Sequence, residues 1–170
     1  MAMVGVRMGE RLLMVGCAHG SRTGAIASQV GLSGRSVVIV ADDASLNRAR
    51  KGTEQAGVLA ELQIAPLTRL PVEDDAFDVA VIDDVGGLFG SLRAEERVLT
   101  LREVFRALRP GGRVVVIQAG RRAGLGALLS RTAASSIDPI AVLEADGFRA
   151  ARPLAEREGL VFVEAVKPRM

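Results

Sequence analysis

Leu12-Leu13-Met14-Val15-Gly16-Cys17-Ala18-His19-Gly20 is an apolar strand running straight into a small-residue loop, with Gly16, Ala18 and Gly20 at alternate positions. A helical pattern follows at once over His19–Val30, with Ile26 and Val30 four residues apart. A strand, a tight loop and a helix start in that order bring backbone amides close to a ligand at the opening of a helix. The loop is therefore a candidate cradle for a nucleotide-like ligand.

Working outward, short apolar runs alternate with helical patterns. Arg11–Val15 reads as the first strand, Gly31–Gly34 as a turn and Ser36–Val40, a β-branched run, as the second strand. Ala44–Ala56 reads as a helix, with Leu46, Ala49 and Ala56 on one face, and Leu59–Ile64 as a weaker third strand. Phe77–Ile82 is the fourth. Ala94–Leu108 is an amphipathic helix carrying Val98, Leu101, Val104, Phe105 and Leu108 at helical spacing, a stripe that reads as core packing. Pro110-Gly111-Gly112 is expected to stop it, and Arg113–Ile117 is the fifth strand. Strands alternating with helices predict βαβ units and a mainly parallel sheet covered on both faces. The end differs. A short helix over Ala141–Ala145 closes at Asp146-Gly147, and Phe148–Ala155 and Leu160–Val166 flank the brief turn Glu156–Gly159, which predicts an antiparallel hairpin.

The length of 170 residues fits one domain over residues 1–170, and 49% hydrophobic content against 25% charged supplies a core. No run approaches the ~18 apolar residues of a membrane span. Five Phe with no Trp or Tyr, and a formal net charge of only +2, argue against nucleic acid as a partner. Cys17 is the one cysteine, so no intrachain disulfide forms, and a reducing, cytoplasmic location is the expectation.

Three further stretches carry a family resemblance: Leu70-Pro71-Val72-Glu73-Asp74-Asp75-Ala76-Phe77-Asp78, Glu103-Val104-Phe105-Arg106-Ala107-Leu108-Arg109-Pro110-Gly111-Gly112 and the corner Asp146-Gly147-Phe148. With the glycine loop, they make the chain resemble a class I S-adenosylmethionine-dependent methyltransferase of the ubiquinone/menaquinone-biosynthesis type over residues 10–168. A dinucleotide fingerprint needs Gly-x-Gly-x-x-Gly and is not matched, since Ser21 stands at the third glycine. The resemblance implies an α/β, Rossmann-like doubly wound sheet of seven strands, order 3-2-1-4-5-7-6 with strand seven antiparallel. It also implies S-adenosylmethionine as cofactor, over the carboxyl ends of strands one, two and four.

Carried over residue by residue, the resemblance places Gly16, Cys17, Ala18 and Gly20 in the cofactor loop. Met14 stands where the family has an acidic residue, and Ala18 where it has its second glycine. Asp42, or next to it Asp43, falls in the region of the acid that receives the ribose hydroxyls; the same pair is equally suited to cap the helix that follows. Pro66 occupies the position of an Asp that meets the adenine amino group, leaving the amide of Leu67 as the next candidate. Two lost charged contacts correspond to about 3–6 kcal/mol.

Methyl transfer from a sulfonium needs alignment more than acid–base machinery. Asp83 and Asp84, after strand four, are the candidate catalytic carboxylates, with Asp83 also a candidate cofactor contact and an exposed acidic turn as the alternative. His19, the sole histidine, and Cys17 read as structural residues. Arg48, Arg50 and Lys51 read as a solvated helix face, and Arg121, Arg122 and Arg131 as cations near the exit of strand five. The expected function is methyl transfer to O, N or C of a small-molecule acceptor. The competing expectation is a non-catalytic binding or regulatory protein on the same fold. With strand one starting near Arg11 and no obvious N-terminal lid, the cleft is expected to be open. A second copy or a protein partner is expected to cover it.

Overall fold

The computed structural model describes residues 4–120 and 137–169. Seven strands form one sheet: β1 (Arg11–Val15), β2 (Arg35–Val40), β3 (Glu61–Ile64), β4 (Phe77–Asp83), β5 (Leu108–Ala119), β6 (Arg149–Arg157) and β7 (Leu160–Val166). Their order is β3-β2-β1-β4-β5-β7-β6, as the resemblance implied. The β1–β2, β2–β3, β1–β4 and β4–β5 pairs are parallel, and β7 runs antiparallel to both β5 and β6.

The strand side chains alternate between two buried layers, as a parallel sheet covered on both faces requires. Leu13, Val15, Val37, Ile39, Ala80, Ile82, Val114 and Val116 point to the layer that holds Leu101 and Val104 of α4 (Ala94–Ala107) and Leu143 of α5 (Pro139–Ala145). Leu12, Met14, Val38, Val40, Val79, Val81, Val115 and Ile117 point the other way. They meet Ile26 of α1 (Gly20–Ala27), Val30 of the 3-10 turn that follows it, and Ala49 of α2 (Asp43–Gln55). Helices α1 and α2 touch backbone to backbone. A Cβ on Gly20 would overlap the Arg48 carbonyl, and a Cβ on Gly24 or Gly52 would overlap the opposing helix's backbone. At the far corner Gly147 takes φ +95°, and Phe148 packs edge-on against Phe105 with ring centroids 5.1 Å apart.

The main departures from the sequence reading lie at α4, after β4, at β3 and at the hairpin. Helix α4 ends at Ala107, because Leu108 is already extended and β5 runs through Pro110-Gly111-Gly112. The Gly111 amide donates to the Lys167 carbonyl at 2.9 Å and the Lys167 amide to the Gly112 carbonyl at 2.8 Å, so pairing with the chain after β7 captures the segment. A four-residue helix, α3 (Leu88–Ser91), follows β4, and it is too short to leave a periodic signal. The third strand starts only at Glu61, with Leu59 exposed before it. The hairpin turn is just Glu158-Gly159, with φ +54° and +75°, the two left-handed residues that a type I′ turn needs, so Glu156 and Arg157 belong to β6. Edge strand β6 carries Pro153, Ala150 at φ +53° and two register shifts against β7.

The two longest motifs behind the resemblance are halves of one clamp. Arg106 donates to the Leu70 carbonyl (3.1 Å), the Val72 carbonyl (2.8 Å), Asp74 (2.6 Å) and Glu103 (2.8 Å), while Glu103 accepts from the Leu70 amide (2.8 Å). Glu-x-x-Arg on α4 thus pins the Leu-Pro loop that leads into β4. Arg106→Ala is expected to lower stability by about 2–3 kcal/mol, because several charge-assisted bonds go and backbone acceptors lose a partner. Its hydrogen bonds to Arg106 hold the Glu103 carboxyl below its ordinary 4.5. The ionised form is therefore favoured in the fold, and the stability it contributes is present above pH 4.5 and lost as pH falls through the lowered value. The gap between wild type and Arg106→Ala in denaturant titrations should narrow as the pH drops below that point, and the part owed to the Leu70 and Val72 carbonyls should remain.

Candidate functional site

A cleft of about 200 Å³ opens at the carboxyl ends of β1, β2 and β4, lined by Gly16, Cys17, Ala18, Asp42, Leu67 and Asp83, with Ala41, Ser45 and Arg48 on the α2 side and Gly86 of the β4–α3 loop and Leu88 and Ser91 of α3 closing it. Strand order reverses here, since β1 connects onward to β2 on one side while β4 lies on the other, and that is where open parallel sheets bind ligands.

Gly16 takes φ +82°, and a Cβ on it would come within 3.1 Å of Leu88 and 3.2 Å of the Asp83 carbonyl. Only glycine fits this narrow floor. The Gly16 amide is spent on the Ile39 carbonyl (2.9 Å) and the Ala18 amide on the Asp83 carboxylate (2.9 Å). Asp83 also accepts from the Val85 amide (3.3 Å) and from Arg22 of α1 (3.4 Å). Its carboxylate is thus a latch holding the glycine loop to the end of β4. Asp84 does not line the cleft. It accepts from the Phe89 amide and from Gln118, each at 2.7 Å, and so anchors α3 to β5; burial pushes its carboxyl above the usual range.

Asp42 is the N-cap of α2, accepting from the Ser45 amide (2.7 Å) and hydroxyl (3.2 Å), and the amide bond holds its carboxyl low. A carboxylate has about four acceptor positions, so lone pairs remain for a ligand in the cleft. Capping and cleft lining coexist in this one residue. Asp43 lies exposed in the first turn of α2, away from the cleft. Leu67 reaches the cleft, whereas Pro66 lines a separate groove of about 700 Å³ beside β3 with Gln63, Arg69 and Glu73. Gly20 is not in the lining; its missing side chain admits the backbone of α2.

Two further readings change. Met14 is 1% exposed and belongs to the layer under α1 and α2, so the position faces core and not the cleft. Arg48 is exposed, but its guanidinium is not free in solvent. It donates to the Cys17 carbonyl at 3.1 Å and to the Ser45 hydroxyl at 2.8 Å, tying the loop to α2. Cys17 itself is buried, takes a bond from the Thr23 hydroxyl at 3.2 Å, and has its thiol pushed up by burial. His19 is exposed at the N-cap of α1 with no side-chain capping bond. Arg121, Arg122 and Arg131 lie outside the described residues. Among the described residues, no helix is long and apolar enough to cross a membrane.

Residues 12–112 match the methyltransferase domain family. The chain is 30% identical over 116 residues to the ubiquinone/menaquinone biosynthesis C-methyltransferase UbiE of Cronobacter sakazakii, covering 67% of this chain and 44% of that protein. It therefore spans less than half the length of the curated relatives it matches. Its fold is similar to that of a SAM-dependent methyltransferase from Aquifex aeolicus, with a TM-score of 0.70, 19% identity, and 96% of this chain and 85% of the other covered. A SAM-dependent methyltransferase of Methanosarcina mazei gives a TM-score of 0.65 at 19% identity, covering 97% and 95%. With the sheet order and the cleft at its switch point, these matches define the class: the chain belongs to the class I S-adenosylmethionine-dependent methyltransferase family.

The family's cofactor is S-adenosylmethionine, and the donor set fits it in kind. A carboxylate stands at the end of β2, a side-chain-free floor lies at Gly16, and an apolar wall is supplied by Leu67. The volume is tighter than the roughly 300–1,000 Å³ of common ligand sites, and Leu88 lies over Gly16 in its lining.

Proposed function

We propose that this chain binds S-adenosylmethionine in the cleft between β1, β2 and β4 and transfers its methyl group to O, N or C of a small-molecule acceptor. The observation that carries the reading is the pairing of Asp42 with the Gly16 floor on adjacent parallel strands at the switch point of the sheet. The cofactor supplies a methyl group already activated on a sulfonium, so the protein's task is alignment. Asp42 would accept the ribose hydroxyls, Gly16 would let the backbone lie close, and Leu67 would pack against the adenine. Asp83, braced by Arg22 and the Ala18 amide, is a positioning residue for the loop.

A non-catalytic role on the same fold is the second reading. It is favoured by the Gly16 and Ala18 amides being engaged within the protein, and by Met14 and Pro66 facing away from the cleft. A second copy or a protein partner closing the cleft is compatible with either reading.

Titration calorimetry with S-adenosylmethionine and S-adenosylhomocysteine separates them. Binding is expected, weakened about tenfold or more in Asp42→Ala, the loss of a charge-assisted bond, and unchanged in Asp43→Ala. Leu88→Ala is expected to strengthen it by roughly three- to tenfold by widening the floor over Gly16. No heat at about millimolar ligand, the weak end of specific affinity, would remove the enzyme reading.

A further inference from the structure

A second, more enclosed cavity of about 100 Å³ lies between α1 and the turn of the β6–β7 hairpin. Ile26, Leu160, Phe162 and Val4 supply its apolar wall, and Arg22 and Arg157 its cations, with Glu158 at the turn. Arg22 is also the partner of Asp83, which lines the first cleft, so the two cavities lie back to back across a single ion pair. The Arg22 side chain is 11% exposed, and its Nε is buried with no hydrogen-bond partner among the described residues. Its bonds to Asp83 run through Nη1 alone and are long, at 3.4 Å. A guanidinium holds five donors in a fixed fork, and a buried donor without an acceptor is costly.

An occupant that balances this wall needs a planar acceptor for the guanidinium and an apolar body for Ile26, Leu160 and Phe162. A water could accept from Arg22 but would leave the apolar wall of Ile26, Leu160 and Phe162 uncovered. Asp83 already offsets part of the Arg22 charge and Glu158 opposes further negative charge, which favours a monoanion over a phosphate dianion. We propose that this cavity binds a small monocarboxylate with an apolar body, its carboxylate taken by Arg22 and its body by Ile26, Leu160 and Phe162. The site is distinct from the cleft, and its occupancy does not depend on the cofactor reading.

The test is a titration of the full chain with benzoate, butyrate and the neutral analogue benzamide, followed by calorimetry and by amide chemical shifts, without S-adenosylmethionine. Saturable benzoate binding is expected, with shifts centred on Arg22, Ile26, Leu160 and Phe162, and with benzamide at least about tenfold weaker for want of the charged bond. Arg22→Gln should weaken benzoate by a similar factor. Leu160→Trp, which fills the cavity and leaves Arg22 in place, should abolish binding and decides the matter if Arg22→Gln does not fold. Absence of saturable binding, equal affinity for benzamide, or binding untouched by Leu160→Trp overturns the proposal. Cofactor binding in the cleft is read separately by the earlier calorimetry, so failure of this proposal and failure of that reading are distinguishable.

Discussion

Gly52→Ala is expected to lower stability by about 3 kcal/mol, the upper part of the range for overpacking. Alanine in a helix interior is worth up to about 1 kcal/mol over glycine, so propensity alone predicts a gain. The contact reverses the sign. A Cβ at Gly52 would overlap the Gly20 carbonyl, and the atoms it meets are backbone, which has no rotamer to give. The helices must part, and α1 carries the end of the glycine loop and Arg22 with it. Gly90→Ala is the matched control. It sits in α3 with nothing within 4 Å of the added carbon, so its unfolding midpoint should be unchanged or raised. Urea denaturation of the two variants measures the contrast, and equal midpoints would refute the backbone contact.

Asp83→Ala is expected to cost about 3–5 kcal/mol, the range for leaving one half of a buried pair alone. The change removes the acceptor of the Ala18 and Val85 amides and leaves the Arg22 guanidinium without its partner. Arg22→Met should cost less, because Asp83 would keep both amide donors. That asymmetry separates a latch from a simple ion pair: a symmetric pair would lose equally from either side. A double-mutant cycle on the two positions, read by denaturant unfolding, gives the coupling directly. Asp83→Asn should fall between wild type and Asp83→Ala, since its amide oxygen still accepts from Ala18.

Much of the fold is legible in the sequence because its signals are periodic. Runs such as Val37–Val40 and Val79–Ile82 alternate between two buried layers, and the α4 stripe repeats at helical spacing. The strand order came with the family resemblance, since periodicity cannot rank strands across a sheet. Helix α3 and the start of β5 escaped because a four-residue helix has no period and Pro-Gly-Gly reads equally as stop or as strand edge. The site was less legible for a different reason. Small residues mark close approach without naming what approaches, so Gly20, read as a ligand contact, serves α2 instead. Arg48 reads as a solvated helix charge and Arg22 drew no reading at all, and only the packing of α1 and α2 turns one toward Cys17 and the other toward Asp83. Asp42 was readable as the cap of α2 and as a cleft-lining carboxylate, because both ask for an acid at the end of β2.

The edges of the sheet limit how this protein can assemble. At one side Pro153, the left-handed Ala150 and two slips of register break the rim of β6, so a neighbouring chain finds no continuous row of amides to zip against. At the other, β3 offers only four residues. Among the described residues, strand addition is therefore disfavoured at both edges. That leaves the helical faces and the loop-bearing end of the sheet, where the cleft opens, as the surfaces better suited to a second copy or another protein.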